Sequence, residues 1–432
     1  MMGHYRRVMT TVADHANDLL PNPLLQEFWV RPAADIDADL AVLHAAGGIT
    51  FHDEPPVPEG IALEHGPGSW VLTNHADIIQ VSKRADVFSS AQGITVTDIP
   101  VEFLEFFSSM IAMDDPRHAK LRRVVSAGFT PRMLAKLDDS VQTVASEIID
   151  RVQSRGEVDF IVDVAAMLPL KIVCDLMGVP EEEFDFVFRH TNTIIAATDP
   201  EYAPEDGDVL TALLTAGGEL AELMQKVAES KKGGDGTDLT SLLMNASVPD
   251  DELTPGDLAS FFILLVVAGN ETTRNAIGWG LRYLTENPDQ RAIWAADFEA
   301  IAPTAVEEIV RLASPVTYMR RTAMVDTHIG DQAIAAGDKV CMFYLAANRD
   351  PSVFSNPLDF DVRRSPNVHV GFGGPGPHFC LGAHLARREI TVIFREIFNR
   401  LPDIESTADG DLLHSSFIHG IKHLPATFTP VV

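Results

Sequence analysis

Ala268-Gly269-Asn270-Glu271-Thr272-Thr273 overlaps the end of the longest apolar run of the chain, Phe261 to Gly269, and this segment decides the fold. Thr254 can N-cap a helix here, with Pro255 at its first position. The helical pattern then continues to about Glu286, where Asn287-Pro288 stops it. Such a helix is about 45–50 Å long, enough to cross a whole protein. Its middle, Phe261 to Ala268, is apolar on every side and therefore predicts burial. A carboxylate and hydroxyls in a buried helix are costly unless satisfied. One reading has the helix emerge into solvent after Gly269. The other has the Thr272 hydroxyl bond the Ala268 carbonyl while Gly269 weakens the same turn, so that it opens to a water or a small ligand.

The second informative stretch is Gly371-Phe372-Gly373-Gly374-Pro375-Gly376-Pro377-His378-Phe379-Cys380-Leu381-Gly382, followed by a helical pattern from Ala383 to Phe398. Four glycines before Cys380 let backbone approach something flat and bulky. Cys380 stands just before a helix N-terminus, where unpaired N–H groups and the helix dipole favour a thiolate. Cys174 and Cys341, set in apolar runs, read as core residues. Three cysteines are too few for a disulfide framework.

Around these segments the chain of 432 residues is 46% hydrophobic, which excludes disorder. Its formal charge of −29 argues against a nucleic-acid binder. The longest apolar run has nine residues, against roughly 20 for a membrane span. Arg6 and Arg7 are followed by no apolar region, and Met9 is a second candidate start. These features predict a cytoplasmic protein. Residues 20–100 mix short β-like and helical runs, 116–155 and 157–190 read as amphipathic helices, and 315–345 and 412–430 read as β-rich. Lys231 to Gly236 reads as a surface loop within one domain. The expected fold class is mainly α with small β-sheets.

The Cys380 loop, the Ala268–Thr273 turn, Glu308-Ile309-Val310-Arg311 and His118-Ala119-Lys120-Leu121-Arg122 occur in an order and spacing that resembles cytochrome P-450, the haem-thiolate monooxygenases. The resemblance runs from about residue 25 to residue 430 and implies a single domain over 25–432 after an extension of residues 1–24. One departure stands out. The family's aromatic lies seven residues before the cysteine, where this chain has Gly373; Phe372 lies eight before, so the loop carries one extra residue. An actinobacterial subgroup that oxidises branched lipids and sterols shares this form.

The resemblance implies haem b, with Cys380 as the iron ligand and Glu271 and Thr272 delivering protons to dioxygen. His118, Arg122, Arg321 and His378 would hold the haem propionates, with Arg320 as the alternative to Arg321. Glu308, Arg311 and Arg364 would form a structural ion triad. Phe107, Ile111, Leu264, Ala268, Val316 and Phe417 match substrate-lining positions. The nearest likeness is to enzymes that hydroxylate the terminal carbon of methyl-branched lipids, with a sterol side-chain hydroxylase as the near alternative. A peroxygenase or a haem sensor fits less well, because neither needs the Glu271-Thr272 pair. The implied partners are O2, a hydrophobic small molecule, and a ferredoxin with its NAD(P)H-dependent ferredoxin reductase. Arg117, Lys120, Arg123, Arg387 and Arg388 form a candidate docking patch for an acidic ferredoxin.

Overall fold

The computed structural model describes residues 20–57, 65–196, 199–204, 207–245 and 254–431. Most of the expected extension of residues 1–24, including Met9, lies outside them. The long helix spans Pro255–Glu286. A capping box starts it: Thr254 Oγ1 accepts from the Asp257 N–H at 3.1 Å, and Asp257 Oδ2 accepts from the Thr254 N–H at 3.0 Å. Its first half buries Phe261, Phe262 and Ile263 against Leu170, Met177 and Leu220. Its second half buries Ile277 and Trp279 in a separate cluster with Phe160, Trp294, Ile309 and Phe394.

The stretch 116–155 is two helices, Arg117–Val125 and Pro131–Val152. Pro131 has no N–H to continue a helix and instead begins the second one, capped by Thr130. The stretch 157–190 opens with a strand, Glu157–Asp159, before a wide turn and the helices Met167–Met177 and Phe184–Ala196. Gly178, at φ +71°, ends the first of these helices in the left-handed conformation that glycine adopts without strain. Lys231 to Gly236 leads from the helix Val209–Lys231 toward Leu239–Asn245.

The largest sheet has five strands, in the order Ile49–His52, Ser69–Leu72, Lys339–Phe343, Tyr318–Ala323 and Phe88–Ser89. Ser69–Leu72 runs parallel to Lys339–Phe343, with Ser69 opposite Lys339; the other pairings are antiparallel. A three-stranded sheet joins Glu157–Asp159, Pro425–Thr427 and Glu405–Ser406. The helix Ala383–Arg400 leaves the Cys380 loop and crosses the long helix at Gly280, where a Cβ would lie 2.7 Å from the Phe394 ring. No helix among the described residues is long and apolar enough to cross a membrane.

Candidate active site

One cavity opens between the long helix and the Cys380 loop. Ala268, Gly269 and Thr272 form its upper wall, and Phe372, His378, Cys380 and Gly382 its lower wall. The loop is held tight by its glycines. A Cβ on Gly376 would lie 2.3 Å from the Ser82 carbonyl oxygen, and one on Gly371 2.8 Å from that of Val310. Gly373, which stands seven residues before Cys380, turns at φ +84°. Phe372 still lies on the cavity wall, with its ring under the Arg387 guanidinium at 4.3 Å and its carbonyl accepting from the Cys380 N–H at 3.0 Å.

Cys380 opens onto the cavity, unlike Cys174 and Cys341, which are fully buried with thiols pushed up to about 12 chiefly by burial. Burial also pushes the Cys380 thiol up, while the N–H groups of Gly382 and Ala383 and the charges of Arg122 and Arg387 pull the other way. A cation bound at sulfur converts such a thiol to thiolate.

The cavity side of Cys380 is short of negative charge. Arg321 is buried, and among the described residues its guanidinium bonds only the Arg320 carbonyl, at 2.7 Å. Its neighbour Arg320 projects to the other face of the strand, toward Asp98, Thr95 and Gln92. Arg122 donates to the Phe379 carbonyl at 2.5 Å. The His118 ring lies 4.2 Å from that of His378, and its buried Nε2 has no partner. Burial, and then the charges of Arg321, His118 and Arg122, push His378 down to about 2. Two guanidiniums, an orphan ring nitrogen and a histidine held neutral form a site for paired anions, and the two propionates of a haem fit it.

Thr272 Oγ1 donates to the Ala268 carbonyl at 2.7 Å, the bond expected from the sequence. Glu271 is placed differently. Its carboxylate lies behind the wall, ion-paired with Arg274 and accepting from Asn275 Nδ2 at 2.9 Å. Arg274 and Asn275 escaped the sequence reading, although three- and four-residue spacing on a helix is a signal for such partners.

Ile111, Leu264, Ala268 and Val316 line the cavity, together with Met110 and Met319. Phe107 and Phe417 do not stand on its wall, a correction to the sequence reading. Phe107 packs edge-on to Phe106, with its ring over Gly217 of the neighbouring helix. The Phe417 ring meets Tyr318 edge-on at 5.6 Å. Both aromatics are drawn into flanking clusters.

Glu308, Arg311 and Arg364 form the expected triad. Arg311 grips Glu308 with two bonds of 2.7 and 2.8 Å, and Arg364 Nε lies 3.0 Å from each Glu308 oxygen.

The chain is 43% identical over 406 residues to the methyl-branched lipid omega-hydroxylase of Mycobacterium tuberculosis, covering 93% of each chain. The chain belongs to the cytochrome P450 family. The family profile itself matches residues 301–402. A steroid C26-monooxygenase of Mycolicibacterium smegmatis is 38% identical over 396 residues, 90% of each chain. A cytochrome P450 of Mycobacterium marinum, solved in complex with pseudoionone, superposes with a TM-score of 0.88 at 41% identity, covering 96% of this chain and 98% of that one. As a P450, the protein is a haem b monooxygenase. A haem held here would supply dioxygen activation, one oxygen atom going to the substrate and the other to water with two electrons and two protons.

Proposed function

We propose that this P450 hydroxylates the terminal methyl carbon of a long methyl-branched lipid, with Cys380 as the iron ligand and His118, Arg122, Arg321 and His378 around the propionates. The likeness to the omega-hydroxylase over 93% of both chains carries this reading. The apolar wall of Ile111, Leu264, Ala268 and Val316 supports it. A primary C–H bond is harder to break than the tertiary one beside it, so the protein must override reactivity by position. Orientation supplies up to about 7–11 kcal/mol in the best intramolecular cases. Leu264 and Val316 grip the branch, and Ala268, with its single methyl, leaves room for the terminal methyl. Thr272 holds a proton at Oγ1 for dioxygen; Glu271 passes one on after turning away from Arg274.

A sterol side chain ends in the same branched group, and the likeness to steroid C26-monooxygenases favours it as the second reading. Residues 25–432 act as one catalytic unit in the cytoplasm. Electrons arrive from an acidic ferredoxin, itself served by an NAD(P)H-dependent reductase. The docking charge is smaller than the sequence suggests: Arg117 pairs with Glu105, Arg387 with Glu307 and Arg388 with Asp138, which leaves the exposed Lys120 as the clearest contribution.

The test is product analysis on two lipids of equal length, one methyl-branched and one straight. The branched chain should turn over about tenfold or more faster, since one methyl in an apolar pocket discriminates by ~1–3 kcal/mol. Equal turnover, or oxidation mainly at the tertiary carbon, refutes the proposal.

A further inference from the structure

Three segments of the chain meet around Phe372. Glu307 comes from the helix Phe298–Ala313, His369 from the loop that leads to Cys380, and Arg387 from the second turn of the helix Ala383–Arg400. Arg387 grips Glu307 with two bonds, from Nε and, at 2.9 Å, from Nη2. The Gly371 N–H donates to His369 Nδ1 at 3.1 Å, so the ring hydrogen stands on Nε2 and donates to Glu307 at 2.8 Å. Glu307 is thus fixed from both sides. The Arg387 guanidinium lies over the Phe372 ring, 4.3 Å from its centre. Phe372 in turn accepts the Cys380 N–H on its carbonyl at 3.0 Å.

The positive member of the Glu307–Arg387 pair is the one that rests on Phe372, and its charge reaches Cys380. Neighbouring charges are engaged elsewhere. Glu308 belongs to the triad, and Arg388 turns to Asp138. Arg122 also acts on Cys380, from the helix Arg117–Val125. An arginine keeps its proton at every working pH, so the charge over Phe372 is constant. A lysine would supply the charge, but neither the fork to Glu307 nor the stacking on the ring. The Arg387 side chain is 31% exposed and that of Glu307 24%, so salt screens the pair only in part.

We propose that Arg387 is a positioning residue for the first electron transfer: held by Glu307, it keeps a fixed positive charge at the Cys380 loop and raises the reduction potential of the haem. The inference rests on the monooxygenase reading with Cys380 as iron ligand, and deepens it. In that step ferric haem takes up one electron, the protein donor gives up one, and no proton moves on Arg387 or Glu307. A cation beside the loop favours the state that carries the extra electron, and an anion opposes it. Glu307 therefore acts in two ways. It fixes the guanidinium in place, and its own charge offsets part of the effect.

Potentiometric titration of the haem-loaded protein tests this. Arg387→Gln should lower the potential and Glu307→Gln should raise it, each by about three- to tenfold in the equilibrium with a one-electron mediator, where tenfold is about 59 mV. Arg387→Lys, which keeps the charge, should stay closer to wild type than Arg387→Gln. If the single variants lose haem because each strands a charge, the double variant Glu307→Arg with Arg387→Glu keeps an ion pair and brings the carboxylate to Phe372; its potential should fall below that of wild type. A role in stability alone would lower the melting temperature of both single variants and leave their potentials where they were. Unchanged potentials, shifts of the same sign in Arg387→Gln and Glu307→Gln, or an Arg387→Lys potential as low as that of Arg387→Gln overturn the proposal. A wild-type protein without the red-shifted Soret band of reduced, carbon monoxide-bound thiolate haem overturns the assignment of Cys380 as iron ligand; with that band present, the potentials judge Arg387 alone.

Discussion

The triad of Glu308, Arg311 and Arg364 carries one negative and two positive charges, so its members are not equivalent under mutation. Glu308→Gln leaves two guanidiniums facing each other, one of them on a side chain with no exposure at all. Arg364→Gln leaves a neutral pair, Glu308 with Arg311, still bonded twice. Stranding a buried charge costs about 3–5 kcal/mol. Glu308→Gln should fall at about 5, because Arg311 keeps only neutral acceptors, one amide oxygen and the carbonyls of Asn348, Pro357 and Asp359. Arg364→Gln should fall at about 3, since it strands no charge but gives up bonds to Glu308 and to the carbonyls of Ser355, Asn356 and Asp359. Unfolding entropy of ~2.1 cal/mol/K per residue gives ~0.9 kcal/mol/K for a chain of this size. The expected loss of Tm is then about 6 °C for Glu308→Gln and about 3 °C for Arg364→Gln. Circular dichroism melts of the haem-loaded proteins at one scan rate measure both. An Arg364→Gln enzyme that melts at or below the temperature of Glu308→Gln refutes this charge accounting.

Cys380→Ala should abolish the red-shifted Soret band of the reduced, carbon monoxide-bound protein, whereas Cys174→Ala and Cys341→Ala keep it; absorbance spectra decide. Thr272→Ala should keep haem and substrate binding but divert electrons to peroxide, read as product and peroxide formed per NADH consumed. Burial raises the Glu307 carboxyl, but bonds from His369 and Arg387 override it and hold the group down at about 2. A depressed carboxyl stabilises the fold above its unfolded value near 4.5 and loses that contribution as pH falls toward 2. Urea midpoints between pH 5 and 3 should therefore drop less steeply in Glu307→Gln than in wild type; parallel curves would remove Glu307 from the acid limb.

The long helix was legible to its last residue because every signal for it is local: a capping threonine, a proline at the first position, an apolar middle and a terminal Asn287-Pro288. The Cys380 loop was legible for the same reason. The substrate wall was not. Phe107 and Phe417 are apolar in the right places along the chain, but which neighbour an aromatic meets depends on elements far away in sequence, here Gly217 and Tyr318. Glu271 shows the same limit: its type announced an acid, while its partners Arg274, Asn275 and, beyond them, Asn192 set where it points. Glu307 was overlooked because an acidic residue on a helix normally means a solvated face, and only packing shows this one clamped between His369 and Arg387.

The parallel pairing of Ser69 with Lys339 has a consequence for how the chain is made. A ribosome adding about 5–20 residues per second needs roughly 15–50 s to travel from one strand to the other. Throughout that interval the strand Ser69–Leu72 can form its hairpin with Ile49–His52, yet its other edge stays bare. An unpaired edge carrying Trp70, Val71 and Leu72 is a template for other nascent chains. Soluble yield should accordingly follow the supply of chaperones that shield such edges during synthesis. Cofactor supply cannot help at that stage, because the loop bearing Cys380 leaves the ribosome only after the sheet can close.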